Sequence, residues 1–470
     1  MKFKFRYFIF LVLFCLSTFR GLAGNIIISG HTPAYAGDSL SFYYFLDPFT
    51  GNVEIAGSVK VSPEGFFKIA FESRIVRQIN LDIGGFSCFL YVEPGKEYKI
   101  DLPQKEIENK RDILNPYFKP ERIRMGILNL NEDDLNILIK RFDDLFYPFF
   151  NEYALHLYAN KQRSSIKKIE LFIDSSFVGF NHPFFLAYKR YKLNELQFLK
   201  YSGTKKQLLY SHFSSLKVAP GNPAFSELFN RVYKRFLYHF AKITEDDEVE
   251  KVVYGSKSYI ELKDLLKRSN YFRSDSLLEL VLIKGIYDEL YLSDFPKDNL
   301  LVLLEGLGES TSIELHRLLA VYIKWKVSRF DPGKSAPGFD LFDSEKQRVN
   351  LNSLKGKYIY LNFASFQSYA CQVQFPMLDK ISEKYSGDLV VVSIIVDNTL
   401  EDLIAQKELY GYKWIFLHLG DDSALLKKYN VRAYPTYYIL DKNAQFINAP
   451  ASAPHEGFDK YFTREILGQD

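Results

Sequence analysis

Over the first hundred residues, apolar and polar positions alternate in short runs separated by turn residues. Asn25–Ser29, Ser39–Leu46, Val53–Val61, Phe66–Phe71, Gln78–Ile83 and Phe86–Glu93 are rich in β-branched and aromatic residues. They are broken by Gly37-Asp38, Asp47-Pro48, Pro63-Glu64-Gly65 and Gly84-Gly85. This pattern predicts an all-β domain over 25–104, a small sandwich or open barrel. From 105 to 332 the apolar spacing becomes helical. Asn131 is placed to cap a helix over Glu132–Tyr158. Asn222-Pro223 is placed to open one over Ala224–Ile243, with proline in the tolerated first turn. Ser276 with Glu279, and Thr311 with Glu314, have capping-box spacing and predict helices over Leu277–Tyr291 and Ile313–Phe330. Leu315, Leu318, Leu319, Tyr322 and Trp325 recur at helical spacing, which reads as core packing. Residues 333–470, entered through Asp331-Pro332-Gly333-Lys334-Ser335, alternate strand and helix. Tyr358–Phe363, Asp388–Val396 and Trp414–His418 read as buried strands. Cys371 onward, Leu400–Tyr410, Ser423–Tyr429 and Phe458–Leu467 read as helices, with a hairpin at Lys442-Asn443. The expected class is multidomain α+β: an N-terminal all-β domain, a helical middle and a C-terminal α/β domain with a central mixed sheet.

Composition adds a compartment. The chain has 470 residues and is 47% hydrophobic, which suits globular cores rather than disorder. Lys2, Lys4 and Arg6 precede an apolar stretch, Tyr7–Ser17, and small residues follow at Gly21–Ala23 or Leu22–Gly24. Residues 1–24 therefore read as a cleaved signal peptide, and the protein as periplasmic or otherwise exported. Arg20 keeps an uncleaved membrane anchor open as the alternative; the membrane is otherwise not an expected partner. Cleavage takes four cations and no acid with it, so the formal charge of +3 becomes −1, which disfavours nucleic acid. Of Cys15, Cys88 and Cys371, the first leaves with the signal. Cys88, within the apolar run Phe86–Val92, reads as a buried small hydrophobe. The eight histidines are scattered and the acidic run Thr244–Glu250 lacks ligand spacing, so neither a metal site nor a cofactor is expected.

Candidate chemistry centres on Tyr358–Pro376, YIYLNFASFQSYACQVQFP, where a strand runs into a helix and sets Ser368–Cys371 at the helix N-terminus. Backbone N–H groups and the helix dipole at such a place favour a thiolate. The stretch resembles the active-site turn of TlpA/ResA-type thioredoxin-like proteins, within the redoxin (AhpC/TSA) superfamily. Asn362, Phe363, Cys371 and Pro376 match that turn without a gap, and Ser368 stands at the attacking cysteine's position. VRAYPTYYILDKNAQF resembles the same family's later motif, which makes Pro435 the candidate cis-proline. The N-terminal β-domain also resembles those that precede such domains in exported bacterial proteins. The resemblance implies a thioredoxin fold for 333–470 and a binding groove formed by Tyr369, Tyr434, Pro435 and Thr436.

Dithiol exchange needs an attacking thiolate and a resolving thiol. Ser368 cannot attack as a thiolate. In relatives a carboxylate beneath the turn assists proton transfer. The two places it could come from in this chain carry Asn362 and Gln374, amides that cannot act as general bases. The leading expectation is a degenerate site that binds an extended polypeptide or protein client. The alternative is a thiol-disulfide oxidoreductase or peroxiredoxin-like antioxidant enzyme using Cys371 alone, served by a redox partner protein. Ser368 and Cys371 fit the peroxiredoxin pattern, but Ala364 replaces its proline, and Arg432 would have to swing in. His418 reads as a satisfied core or edge residue.

Overall fold

The computed structural model describes residues 24–105, 119–160, 164–292, 294–397, 399–420 and 422–469. The expected signal segment, Cys15 included, lies outside the described residues except for Gly24, and so do 106–118. Packing divides the chain into two compact units. One holds the described residues below 107 together with Pro120–Lys324, and the other runs from Trp325 onward. Among the described residues no helix is long and apolar enough to cross a membrane.

The first unit opens with two sheets. β1 (Gly24–His31), β2 (Ser39–Phe45), β3 (Val53–Lys60), β4 (Phe66–Ser73), β5 (Arg77–Ile83), β6 (Phe86–Val92), β7 (Glu97–Asp101), β8 (Glu121–Arg124) and β9 (Gly126–Ile127) are arranged β4-β1-β7-β9 and β3-β2-β5-β6-β8. Alternate residues such as Ile26, Ile28, Phe42, Ile79 and Leu90 point into one shared core. Cys88 belongs to that core and is fully buried. The helical expectation fails over 121–127. β8 extends β6 in parallel, and β9 pairs with β7. Strands of four and two residues carry too little pattern to stand out, and open sheet edges supply the hydrogen bonds that hold them.

The helices that follow are close to those expected, with instructive differences at their ends. The helix Leu135–Asn160 is entered through Asp134, whose Oδ1 accepts the Asn136 N–H at 2.8 Å, rather than through Asn131. Asn222 caps Pro223–Val232 as expected, accepting from the Ala224 N–H at 3.1 Å. The single helix read over Ala224–Ile243 is two, because Arg235 turns into the left-handed region at φ 52° before Phe236–Ile243 begins. Its guanidinium reaches the fully buried Glu289, and its N–H reaches Asp288. The helix Asp275–Glu289 is capped by Ser274, not Ser276. Glu279 is thereby free to face inward.

The second unit is built on a seven-stranded mixed sheet. Its strands are β10 (Asp340–Asp343), β11 (Arg348–Asn350), β12 (Tyr358–Ala364), β13 (Leu389–Ile395), β14 (Ile415–His418), β15 (Thr436–Leu440) and β16 (Phe446–Ala451), in the order β11-β10-β14-β13-β12-β15-β16. Central β12 runs parallel to β13 and antiparallel to β15. Both its faces are covered, which explains its unbroken apolar run. Ile359, Leu361 and Phe363 enter one core layer, while Tyr360 and Ala364 enter the other with Cys371, Phe375 and Trp414. The fold is that of thioredoxin, as expected.

Candidate functional site

The site lies where β12 ends. The expected helix from Cys371 is interrupted: a short helix Tyr369–Gln372 is followed by a second, Phe375–Lys384. Pro376 sits in the second helix's first turn. It lacks the N–H that a continuous helix would require, and its ring would meet the preceding turn. Ser368 is the residue before the short helix, in extended backbone, and caps nothing with its side chain. Its hydroxyl lies 3.4 Å from the carbonyl oxygen of Tyr434. The Tyr434–Pro435 peptide is cis. The β12–β15 register, with Phe363 opposite Thr436, carries this peptide alongside the chain that leaves β12. Ser368, Cys371 and the Tyr434–Pro435–Thr436 segment are thus brought together. Thr436 turns its hydroxyl back to Ala433 O at 2.6 Å.

Cys371 is a free thiol with no exposed surface. Burial pushes it above the usual thiol range; the Ser365 main chain and the Ser368 hydroxyl pull the other way, and the charge of Asp397 adds to the rise. The helix N-terminus, expected to favour a thiolate, is outweighed by desolvation. Tyr434, beside the same thiol, is pushed up to about 12 by burial, then by Asp397 and Cys371.

Beneath the turn, Asn362 is fully buried and shares a face of β12 with Tyr360 and Ala364. Its Nδ2 donates to Val392 O at 3.2 Å and to Ser393 Oγ at 2.9 Å, and Trp414 Nε1 donates to the same Ser393 oxygen at 2.9 Å. Because Val392 O can only accept, the amide's orientation is settled, and Asn362 Oδ1 is left without a hydrogen-bond partner. Gln374 is buried between the two short helices, and its Oε1 accepts the Tyr437 hydroxyl at 2.8 Å. Neither amide can move a proton.

One acid near the thiol escaped the sequence reading. Asp397, just past β13, is nine-tenths buried. Its carboxylate accepts from the Ser365 hydroxyl at 2.6 Å and from the Phe366 N–H. It holds the chain leaving β12, and burial raises its pKa. Positions 362 and 374 lie within the motif's own stretch, whereas Asp397 arrives from the end of a neighbouring strand. An acid ending a buried apolar strand was the available signal. Arg432 is exposed, with its Nε on Asn430 Oδ1 at 3.3 Å. His418 places Nε2 3.2 Å from Asp397 O at the sheet's end.

The turn carries an apolar ridge. Tyr369 is 78% exposed, and Val373 and Met377 follow at helical spacing with 45% and 41% exposed. Among the described residues, the Tyr434 N–H has no hydrogen-bond partner.

Residues 332–448 match the AhpC/TSA family. The thioredoxin-like protein YneN of Bacillus subtilis is 30% identical over 129 residues, which cover 27% of this chain and 74% of YneN. The thiol-disulfide oxidoreductase ResA of Bacillus thuringiensis is 27% identical over 124 residues, covering 26% of this chain and 70% of ResA. Among solved structures, the thioredoxin domain of a thiol-disulfide oxidoreductase from Bacteroides vulgatus aligns at 21% identity. That alignment covers 27% of this chain and 94% of the other, with a TM-score of 0.26.

Proposed function

The chain belongs to the AhpC/TSA family of thioredoxin-like proteins, and from that membership we propose that its site is degenerate and binds extended polypeptide instead of exchanging dithiols. The observation that carries this is the pairing of a serine at position 368 with a fully buried, proton-retaining Cys371. A thiol that neither reaches solvent nor ionises near neutral pH is a poor nucleophile toward disulfides or peroxide. What remains at the site suits recognition. The Tyr434 N–H beside the cis peptide is free to pair with a strand, and Tyr369, Val373 and Met377 offer apolar contact next to it. We place this activity outside the cytoplasm, on the strength of the N-terminal sequence.

The test is thiol accessibility in the native protein. Under native conditions neither Cys371 nor Cys88 is expected to react with a thiol reagent over hours, and both react once the chain is denatured. Fast native labelling of Cys371, or its oxidation by stoichiometric peroxide, would return the single-cysteine enzyme to first place. A peptide bound at the groove should broaden amide signals of Tyr369 and Thr436 in NMR spectra. Broadening elsewhere only would count against the groove.

A further inference from the structure

We propose that the first unit holds a second binding site, a pocket for the carboxylate end of a peptide or N-acylated amino acid with an apolar side chain. The pocket is a cavity of about 340 Å³ between the β5 side of the five-stranded sheet and the start of the helix Pro223–Val232. That size lies at the low end of the range for small-ligand sites, about 300–1,000 Å³. Two guanidiniums line it. Arg77 lies over the Tyr44 ring at 3.9 Å, and Arg122 donates to Gln78 Oε1 at 3.1 Å. Among the described residues, neither has a carboxylate within ion-pair distance. The acids of the wall are already engaged. Asp47 is held by the Phe49 and Thr50 N–H groups at 2.9 and 2.6 Å, and Glu227 is paired with Lys192. Arg77 and Arg122 are thus guanidiniums with no carboxylate of their own, of the kind that take one in a bidentate fork.

Two amides in the same wall define the rest of the ligand. Arg122 can only donate, so the Gln78 atom it meets is the oxygen. Gln78 Nε2 is then a buried donor with no acceptor, on a side chain only 9% exposed. Asn230 is oriented by the same logic: Nδ2 donates to Pro48 O at 2.7 Å, and Oδ1 is a buried acceptor with no donor. A buried polar atom left unpaired costs about 1–3 kcal/mol, so both amides, whose residues line the cavity, gain by turning toward a partner that enters it. A carboxylate supplies the acceptor, and the amide N–H next to it supplies the donor. Tyr44, Phe45 and Phe49 offer aromatic surface for the side chain.

The experiment uses the full exported chain and calorimetric titration with N-acetyl-L-phenylalanine, N-acetyl-L-phenylalaninamide and glucuronate. The acid is expected to bind at least about tenfold more tightly than the amide, about 1.4 kcal/mol. Arg122→Gln should weaken the acid by at least about tenfold and leave the amide unchanged. Gln78→Glu, which keeps the side-chain shape but sets a carboxylate against Arg122, should have the same effect. Circular dichroism of each variant shows whether it is folded, and the acid-against-amide comparison on the unaltered chain stands without either. Equal binding of acid and amide, no binding of the acid, or tighter binding of glucuronate each overturns the proposal. Failure of the groove near Cys371 to bind peptide leaves it untouched.

Discussion

Asn362 is satisfied through its nitrogen and unsatisfied through its oxygen, while Gln374 gives its oxygen to Tyr437. These two amides make a graded test of the degenerate site. Ser368→Cys supplies the missing sulfur, and its slow reduction of a small disulfide is the expected result. Gln374→Glu in that background keeps an acceptor for the Tyr437 hydroxyl and adds a carboxylate beneath the turn. General-base assistance is worth about 10²–10⁴-fold, so the double variant should be at least about tenfold faster than Ser368→Cys alone. Equal rates would show that occlusion of Cys371, not proton transfer, limits the chemistry. Ser368, Cys371 and the cis Tyr434–Pro435 bond were legible in the sequence because a contiguous motif carries each. Asp397 was not, because its contacts with Ser365 and Phe366, just past β12, join residues 32 and 31 apart in the chain. Nor could the rank of two opposing effects at Cys371 be read. The N-terminal position is visible in one dimension, but the burial that overrides it exists only in three.

At the scale of elements, Glu279 shows how a good local motif can be spent elsewhere. Three residues after Ser276 it fits a capping box, yet Ser274 caps the helix and Glu279 faces inward. There it receives Lys263 Nζ at 2.7 Å, the Thr311 hydroxyl at 2.6 Å and His316 Nδ1 at 2.9 Å. One carboxylate thus ties Tyr259–Arg268, Asp275–Glu289 and Glu314–Ser328 together. Burial works to raise its pKa, but those hydrogen bonds and the Lys263 charge outweigh it and bring it down to about 2. Burial lowers the His316 pKa against the opposing pull of Glu279. The sign follows from linkage. A carboxyl with a depressed folded-state pKa contributes stability above its unfolded value of about 4.5 and loses it as pH falls through about 2. That contribution is about 3 kcal/mol. Denaturant titrations of the native chain should lose it across this window, and Glu279→Gln should flatten that part of the profile. A variant profile parallel to the native one would remove Glu279 from this role. The same reasoning explains the break before Phe236. A left-handed residue in mid-helix has no periodicity signal; it is held by what Arg235 reaches, Glu289 and Asp288, more than fifty residues away.

At the scale of the molecule, the two units have separate cores and separate optical reporters. Of the 2 tryptophans, Trp414 is buried in the core of the second unit, while Trp325 is 55% exposed on the helix Glu314–Ser328, which the unit boundary cuts. Most of the helix lies in the first. In a Trp325→Phe background the fluorescence of Trp414 follows the thioredoxin fold, while the helical circular dichroism signal chiefly follows the other unit. A single stability need not describe such a chain. Glu279→Gln should lower the dichroism midpoint in denaturant and leave the fluorescence midpoint in place. Ser393→Ala should do the reverse. It strips the shared acceptor from Trp414 Nε1 and Asn362 Nδ2, both buried, at about 1–3 kcal/mol. If either substitution moves both midpoints together, the units unfold as one. If the two responses stay separate, each unit carries its own stability, set by its own core.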